Sequence, residues 1–144
     1  MCAAEGCFPD FNSTPGPSLT GPDERVATAL AQSADRVRRR GATLDAAARY
    51  LEAAAATPAS LPERRLGRAR LAAECLFIDL SEVVHADAIL DPALAVAPPG
   101  PARAEARSLQ SLLRYYQGRV ADALELGAQA LEETGADPLL RALV

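Results

Sequence analysis

The chain has 144 residues, 49% of them hydrophobic and 24% charged, a composition typical of one compact globular domain rather than of a disordered chain. Its 15 basic residues are all arginines and are outnumbered by 19 acidic residues, so the net charge of −4 disfavours direct binding to nucleic acid. The sequence has no signal-peptide pattern and no apolar stretch near the roughly 20 residues that span a bilayer, which predicts a cytoplasmic protein without membrane contact.

The beginning of the chain is predicted to be a disordered leader that precedes one helical domain. Residues 1–21 show no helical period, and four of their last seven positions are Gly or Pro. Over residues 22–144 apolar residues recur with the spacing of helix faces. The helical domain is therefore expected to cover residues 22–144.

The first two helices are marked by capping residues and by Gly. Helix one is expected to begin at Pro22-Asp23 and to end in an arginine cluster before Gly41, which suits a left-handed C-terminal position. Thr43 is expected to cap helix two. The predicted apolar face of helix one is Val26, Ala29, Leu30, Ser33 and Val37. The predicted face of helix two is Leu44, Ala47, Ala48, Leu51 and Ala55.

Proline and glycine set the predicted bounds of the next four helices. Helix three is expected from Pro62 to about Phe77–Leu80, with Asp79 or Ser81 as the next cap. In helix four a kink or break is expected at Asp91-Pro92, because proline cannot donate the bond to Ala88. Helix five is predicted over Ala102–Gln117 and helix six from Val120 to Gly135, with Val120, Ala123, Leu124, Gly127 and Leu131 as its face.

An apolar pattern repeats at a constant offset of 36 residues between helices three and five. The matching positions are Leu66, Ala73, Leu76, Phe77 and Leu80 against Ala102, Leu109, Leu112, Leu113 and Tyr116. Repeats of this length are typical of helical arrays that bury their faces by stacking. The pattern predicts an all-α fold of tetratricopeptide-like stacked hairpins, a right-handed α-solenoid of about three hairpins and the start of a seventh helix.

The seventh helix is predicted to open at Asp137-Pro138 and to expose an apolar face. An apolar repeat without a polar capping element can stack on a second copy of itself, which predicts a homodimer. The residues expected to mediate self-association are Leu139, Leu140, Leu143 and Val144.

Few residues carry the chemistry of a catalytic or metal site. His85 is the only histidine, and Cys2, Cys7 and Cys75 have no metal-like spacing to it. An isolated helical histidine is more often exposed than catalytic, and Cys75 holds an apolar position typical of a small buried hydrophobe. Solvent-facing positions, rather than a catalytic carboxylate pair, are expected for Glu63, Glu74, Glu132 and Glu133. The sequence predicts no enzyme activity, no metal and no cofactor.

Aromatic and arginine residues are the candidates for partner binding. Tyr116 continues the apolar stripe, so its neighbour Tyr115 would face the neighbouring helix or the concave surface, where an aromatic ring with a polar tip can anchor a peptide. Arginines on helices three and five would form a basic stripe for acidic peptides, and the alternative is a solvated face balanced by glutamates. For the tyrosines the alternative is packing between repeats. The candidate residues are Tyr50, Arg68, Arg107, Arg114 and Tyr115.

Four segments carry a resemblance to a known family. They are residues 41–54, 71–77, 98–106 and 113–124, the last containing Tyr115-Tyr116-Gln117-Gly118-Arg119. Residues 23–144 resemble the central helical-repeat region of large ATP-dependent LuxR-type transcriptional regulators, the MalT-like group abundant in actinomycetes. In that family an ATPase module precedes the repeats and a helix-turn-helix follows them, whereas this chain has neither a phosphate-binding loop nor any lysine.

The resemblance implies a middle module that relays partner or inducer binding, without ATP hydrolysis or operator binding. We therefore expect a non-catalytic module for protein or peptide interaction in transcriptional regulation, either a fragment or a stand-alone relative of such a regulator. The alternative is a small-molecule inducer sensor, in which the kink at Pro92 opens an apolar pocket between hairpins.

Overall fold

The structure is a computed structural model that describes residues 21–135. Over this range the chain is all-helical, with no strand. Its helices are α1 (Glu24–Arg39), α2 (Thr43–Ala56), α3 (Pro62–Glu74), α4 (Val83–Val96), α5 (Pro101–Tyr116) and α6 (Val120–Glu133). The all-α prediction is confirmed for this range, whereas the predicted seventh helix and all but the last residue of the predicted leader lie outside it.

The helix ends follow the local residues in most places. The Asp23 carboxylate accepts a 2.7 Å hydrogen bond from the Arg25 backbone N–H and caps α1. Gly41 and Gly118 adopt φ of +83° and +77° after α1 and α5, the left-handed conformation that only glycine adopts without strain. The prediction for Thr43 is wrong, because Thr43 is the first residue of α2 and the N-cap, Ala42, has no side-chain oxygen.

The connection between α3 and α4 differs from the predicted cap. A π-helical turn, Cys75–Asp79, continues α3, and Ser81 then takes a left-handed φ of 58°. Neither Asp79 nor Ser81 caps α4, since Glu82 holds the N-cap position without a side-chain bond. The α1–α2 and α5–α6 turns place glycine at the left-handed position, whereas Ser81 takes it in this turn.

Helix α4 continues through its internal proline. Of the predicted kink or break at Asp91-Pro92, the break is wrong, because α4 extends to Val96. Pro92 itself is exposed, whereas Leu90 and Ala93 on either side are buried. Packing of these neighbours holds the helix together across the hydrogen bond that proline cannot make.

The buried faces of α1 and α2 are alanine stripes rather than the larger apolar residues. In α1 the buried residues are Ala27 and Ala34, and the predicted Val26 is 50% exposed. In α2 the predicted Leu44 is 65% exposed, and the buried residues are Ala46, Ala47, Tyr50, Ala53 and Ala54. Small side chains let two helices approach closely, so most of the burial falls beside the predicted faces, whereas the predicted Ala47 is buried.

The core lies between consecutive helices, each of which contacts the next along the chain, and α3 also contacts α5. Its largest fully buried side chains are Tyr50, Leu66, Leu90 and Leu113. Cys75 is fully buried as predicted, and burial raises the pKa of its thiol above the usual value. The prediction for Tyr116 is wrong: it is 61% exposed, and its ring is tilted by 57° against that of Phe77, with ring centroids 5.3 Å apart.

Candidate functional site

Tyr50, the first of the predicted partner-binding residues, belongs to the core. Its side chain is 1% exposed, and its hydroxyl donates a hydrogen bond to the Asp35 carboxylate across the α1–α2 pair. Burial, followed by the neighbouring Asp35 charge, raises the pKa of the phenol above its usual value. The ring is inaccessible to a partner, so Tyr50 is a packing residue of the first hairpin.

Arg68, the second predicted residue, joins α3 to α1. It is 9% exposed, and its guanidinium lies 2.8 Å from one Glu24 oxygen and 2.9 Å from the other. It also donates to the hydroxyl of the fully buried Thr57. Hydrogen bonds from Arg68 and then from Arg64 lower the pKa of Glu24 to about 2, against the opposing effect of burial. Arg68 is therefore a fixed structural cation.

The Glu24 carboxylate makes stability depend on pH in a predictable direction. Its pKa is about 2 when folded, against an ordinary 4.5, so its contribution to the free energy of unfolding is complete above about pH 4.5. That contribution is expected to fall as the pH drops from 4.5 towards 2. In Arg68→Met this acid dependence should be shallower, and urea unfolding at a series of pH values measures it.

A matched control separates the ion pair from a general charge effect. Arg25 is exposed and lies next to Glu24, so Arg25→Met removes the same charge without removing the pair. It should retain the wild-type acid dependence. If the free energy of unfolding fell equally steeply with pH in Arg68→Met and in the wild type, the assigned role of Arg68 would be contradicted.

Arg107 binds α5 to α6 through Glu133. The Arg107 guanidinium donates to the Glu133 carboxylate, and Arg103 Nε lies 3.2 Å from the same oxygen. The Glu133 side chain is only 10% exposed, so the prediction of a solvent-facing Glu133 is wrong. The prediction for Glu74 is likewise wrong, since Glu74 is 21% exposed and accepts from Arg70. Because arginines pair with both carboxylates, Glu133 and Glu74 lie within the contacts between helices rather than in solvent.

Arg114 belongs to a buried polar network between α4 and α5. Its Nε atom lies 2.8 Å from Asp87 Oδ2, and Asp87 is only 6% exposed. The same carboxylate accepts hydrogen bonds from Gln110 at 3.2 Å and from Gln117 at 3.0 Å. Arg68, Arg107 and Arg114 are thus each committed to a carboxylate of the chain itself, and they do not form a free basic stripe.

Tyr115 is the predicted site residue that faces an open surface. Its side chain is 60% exposed and lies at one end of a groove, which we term the α5–α6 groove, with a volume of about 1030 Å³. The apolar residues that line it are Leu109, Leu112, Tyr115, Val120, Ala123, Leu124, Ala128 and Leu131. Leu124 is 71% exposed and Val120 is 50% exposed, so the apolar lining is open within residues 21–135.

The groove exists because α5 and α6 pack closely and antiparallel. Arg107 on α5 meets Glu133 near the end of α6, whereas Ser111 further along α5 donates to the Ala123 carbonyl at 2.6 Å. A Cβ added at Gly127 would lie 3.4 Å from the Ser111 hydroxyl, an ordinary van der Waals distance, so the two helices are in close contact here. The predicted face of α6 consequently lies along the groove, and Ala123 is its buried member.

Charge is confined to one edge of the groove. Arg70 and Glu74 of α3 and Glu105 of α5 lie there, and Arg70 pairs with Glu74 and approaches Glu105 at 3.4 Å. Both carboxylates contact Arg70, and Glu74 also lies 3.9 Å from Arg38 Nη1, so Glu105, with a side chain 37% exposed, is the less paired carboxylate of this edge. The rest of the lining is apolar or carries hydroxyl groups, and such a surface suits apolar side chains bordered by a cation.

The described range shows neither a metal-binding cluster nor a helix that could span a membrane. His85 is exposed on α4, as predicted. Between residues 21 and 135 no cluster of three or more His, Cys, Asp or Glu residues is placed to hold a metal ion. Every helix in that range is too short or too polar to cross a bilayer.

The fold and groove define the chain as an all-helical protein with an open apolar groove beside interhelical ion pairs. Comparison with models of known protein families, with curated proteins and with solved structures finds no match. Any functional argument for this chain therefore starts from its own residues.

Sequence reasoning missed the groove because its residues look like core. Leu109 and Leu112 belong to the repeated apolar stripe, and Leu124 and Leu131 to the predicted face of α6. The available signal was that these residues belong to the last predicted hairpin. In a helical array each hairpin covers the apolar face of the hairpin before it, and within the described residues no further hairpin follows α5 and α6.

Proposed function

We propose that the chain is a non-catalytic, tetratricopeptide-like interaction module that binds an amphipathic helix of a protein partner in the α5–α6 groove. The observation that supports it is the open apolar lining, in which Leu124 is 71% exposed. Large exposed apolar patches on soluble proteins commonly mark interaction sites. The likeness of the sequence to repeat regions of LuxR-type regulators favours a role in transcriptional regulation.

A helix is the ligand shape that suits two antiparallel helices. A third helix can lie in the furrow between them at about 8–10 Å from each axis. Leu109 and Leu112 lie one turn apart on α5, and Leu124 and Leu131 lie two turns apart on α6. These spacings match the apolar i, i+3, i+4 and i+7 positions of an amphipathic helix.

The charge of the groove edge favours a partner with basic residues beside its apolar stripe. Glu105 lies at this edge, 37% exposed and 3.4 Å from Arg70, so an added Lys or Arg would find this carboxylate within reach. Acidic peptides are the poorer fit, because Arg68, Arg107 and Arg114 already hold internal carboxylates. Pro92 does not line this groove, so the structure lends no support to an inducer pocket there.

The proposal is tested by comparing two glutamate variants as baits for protein capture from the source cell. Leu124→Glu places a charge in the groove, and Val84→Glu places one on α4 at a residue of equal exposure, 72% against 71%. We expect a protein retained by the wild type and by Val84→Glu to be lost with Leu124→Glu, because a buried unpaired carboxylate opposes apolar docking.

The captured protein would then be searched for an amphipathic segment, and the synthetic segment titrated against the same three baits. Its affinity should fall at least tenfold for Leu124→Glu and stay unchanged for Val84→Glu. Capture that both variants retain or both lose, or a partner without such a segment, would contradict groove binding.

A further inference from the structure

The arginines that lack a partner within the described range all belong to α1 and its C-cap. Most arginine side chains between residues 21 and 135 pair with a carboxylate of the chain or donate to one of its other oxygens. The four exceptions are exposed, and at 3.6 residues per turn they lie on the side of the helix opposite its buried residues, Ala27 and Ala34. This surface, here called the α1 face, consists of Arg25, Ala29, Gln32, Arg36, Arg39 and Arg40.

The last described helix carries a surface of the opposite charge. Helix α6 contains four acidic residues and no basic one. Two of them, Asp122 and Glu133, are paired with arginines of the chain, whereas Glu125 and Glu132 are exposed and pair with no arginine of the described range. The two free glutamates share one side of the helix with two exposed alanines. This surface, here called the α6 face, consists of Ala121, Glu125, Ala128 and Glu132.

The two faces belong to the first and the last of the described helices. Helix α1 packs chiefly on α2, and α6 packs chiefly on α5, so both faces are uncovered within residues 21–135. The alanines of both faces allow two helices to approach closely, and the unpaired charges of the faces are opposite. We propose that the α1 face of one copy docks on the α6 face of a second copy, in a head-to-tail contact.

The spacing of the charges allows two ion pairs to form together. Arg25 and Arg36 are 11 residues apart, which is about 16 Å along α1. Glu125 and Glu132 are seven residues apart, which is about 10 Å along α6. The difference of about 6 Å can be spanned because arginine and glutamate side chains are long and flexible. Each guanidinium can then meet a carboxylate in the planar, two-bond geometry that arginine favours.

A second copy suits the α1 face better than other anionic partners do. A membrane surface would need an apolar helix face, and the apolar side of α1 is packed against the rest of the chain. Nucleic acid is disfavoured by the net charge of −4, and α1 has no aromatic residue on which a base could stack. The free carboxylates that the α1 face requires are present on the protein itself.

The contact joins two different surfaces, so it is heterologous. Each copy retains one free α1 face or one free α6 face after docking, and copies add until a ring closes or a filament grows. The α6 face borders the α5–α6 groove at Ala128, but the contact does not rest on the proposed function.

Salt distinguishes this contact from other kinds of self-association. The net charge of −4 makes copies repel one another, so screening should strengthen any association through apolar surfaces. Head-to-tail docking predicts the reverse. Between about 0.1 M and about 1 M salt the Debye length falls from about 10 Å to about 3 Å, and we expect the dissociation constant to rise at least tenfold. Sedimentation velocity of the full chain over a concentration series measures it.

Charge reversal tests the two faces directly. Glu125→Arg with Glu132→Arg makes the α6 face basic, and Arg25→Glu with Arg36→Glu makes the α1 face acidic. Each double variant alone should be monomeric at low salt, because its two faces then carry like charges. An equal mixture of the two double variants should associate again, because each then meets an opposite face on the other.

A reversal at two other exposed glutamates is the matched control. Glu63→Arg with Glu82→Arg changes the net charge as much as the α6 reversal does, and it should associate like the wild type. Circular dichroism melts confirm that each variant remains folded. A wild type that stays monomeric at low salt, association that grows with salt, or a mixture that stays monomeric would each overturn the proposal. Binding of duplex DNA through Arg25 and Arg36 by a chain that does not self-associate would instead assign the α1 face to nucleic acid.

Discussion

Replacing Asp87 by alanine is expected to lower the free energy of unfolding by about 3 kcal/mol, because it leaves the Arg114 guanidinium without its main partner. Asp87 is 6% exposed and accepts from three side chains of α5 and its C-terminal turn: Gln110, Arg114 and Gln117. Removal of one member of a buried ion pair costs more than the pair contributes, since the remaining charge stays desolvated. Urea unfolding followed by circular dichroism measures the loss.

The matched control is the aspartate one turn further along α4. The Asp91 side chain is 60% exposed and also approaches Arg114, with 3.5 Å between Oδ1 and Nη2. Because exposed pairs contribute little, Asp91→Ala should change the free energy of unfolding by no more than about 1 kcal/mol. Equal losses in the two variants would show that burial of Asp87 is not what makes its network stabilising.

Features that depend on a few neighbouring residues could be predicted from the sequence. Pro62 begins α3 as predicted, α5 begins at Pro101, one residue before the predicted Ala102, and Gly41 and Gly118 follow α1 and α5 in left-handed conformations. Each of these features follows from the backbone preference of one residue. Thr43 shows the limit, because a threonine beside a turn can fall one position past the cap and make no capping bond.

Features that depend on tertiary contact could not be predicted in the same way. Arg68 and Glu24 are separated by 44 residues, and no local pattern distinguishes an arginine with such a partner from one in solvent. The alanine faces of α1 and α2 were missed for a related reason. Periodicity weights large apolar residues such as Leu44, whereas close helix packing selects small ones.

The groove was the hardest feature to predict, because the same residues can serve as core or as a binding surface. Leu112 is 43% exposed, whereas the adjacent Leu113 is fully buried, although both continue the repeated stripe. The difference lies in what packs beside each residue. Leu113 packs against core residues of preceding helices such as Leu90, whereas Leu112 lines the groove beside α6. Composition and period carry no information about that neighbour.

Replacing Pro92 by alanine is expected to raise the free energy of unfolding by about 2 kcal/mol. Proline inside a helix costs about 3 kcal/mol relative to alanine, through the lost bond to residue i−4 and the contact of its ring with that carbonyl. Here the carbonyl belongs to Ala88, which is exposed, so water compensates part of the loss. Because Pro92 is also exposed, the substitution leaves no cavity. Thermal and urea unfolding both measure the gain.

A second proline gives a control with the opposite expected sign. Pro99 is exposed in the turn before α5, where it interrupts no helical hydrogen bond. Pro99→Ala should therefore act only by raising the conformational entropy of the unfolded chain. It should lower the free energy of unfolding by about 0.4–1 kcal/mol. If Pro92→Ala instead destabilised the protein as much as Pro99→Ala, the geometry imposed by proline would be needed to seat Leu90 and Ala93 against the neighbouring helices. Proline would then set how α4 packs, and the middle hairpin would depend on a residue that its own helix disfavours.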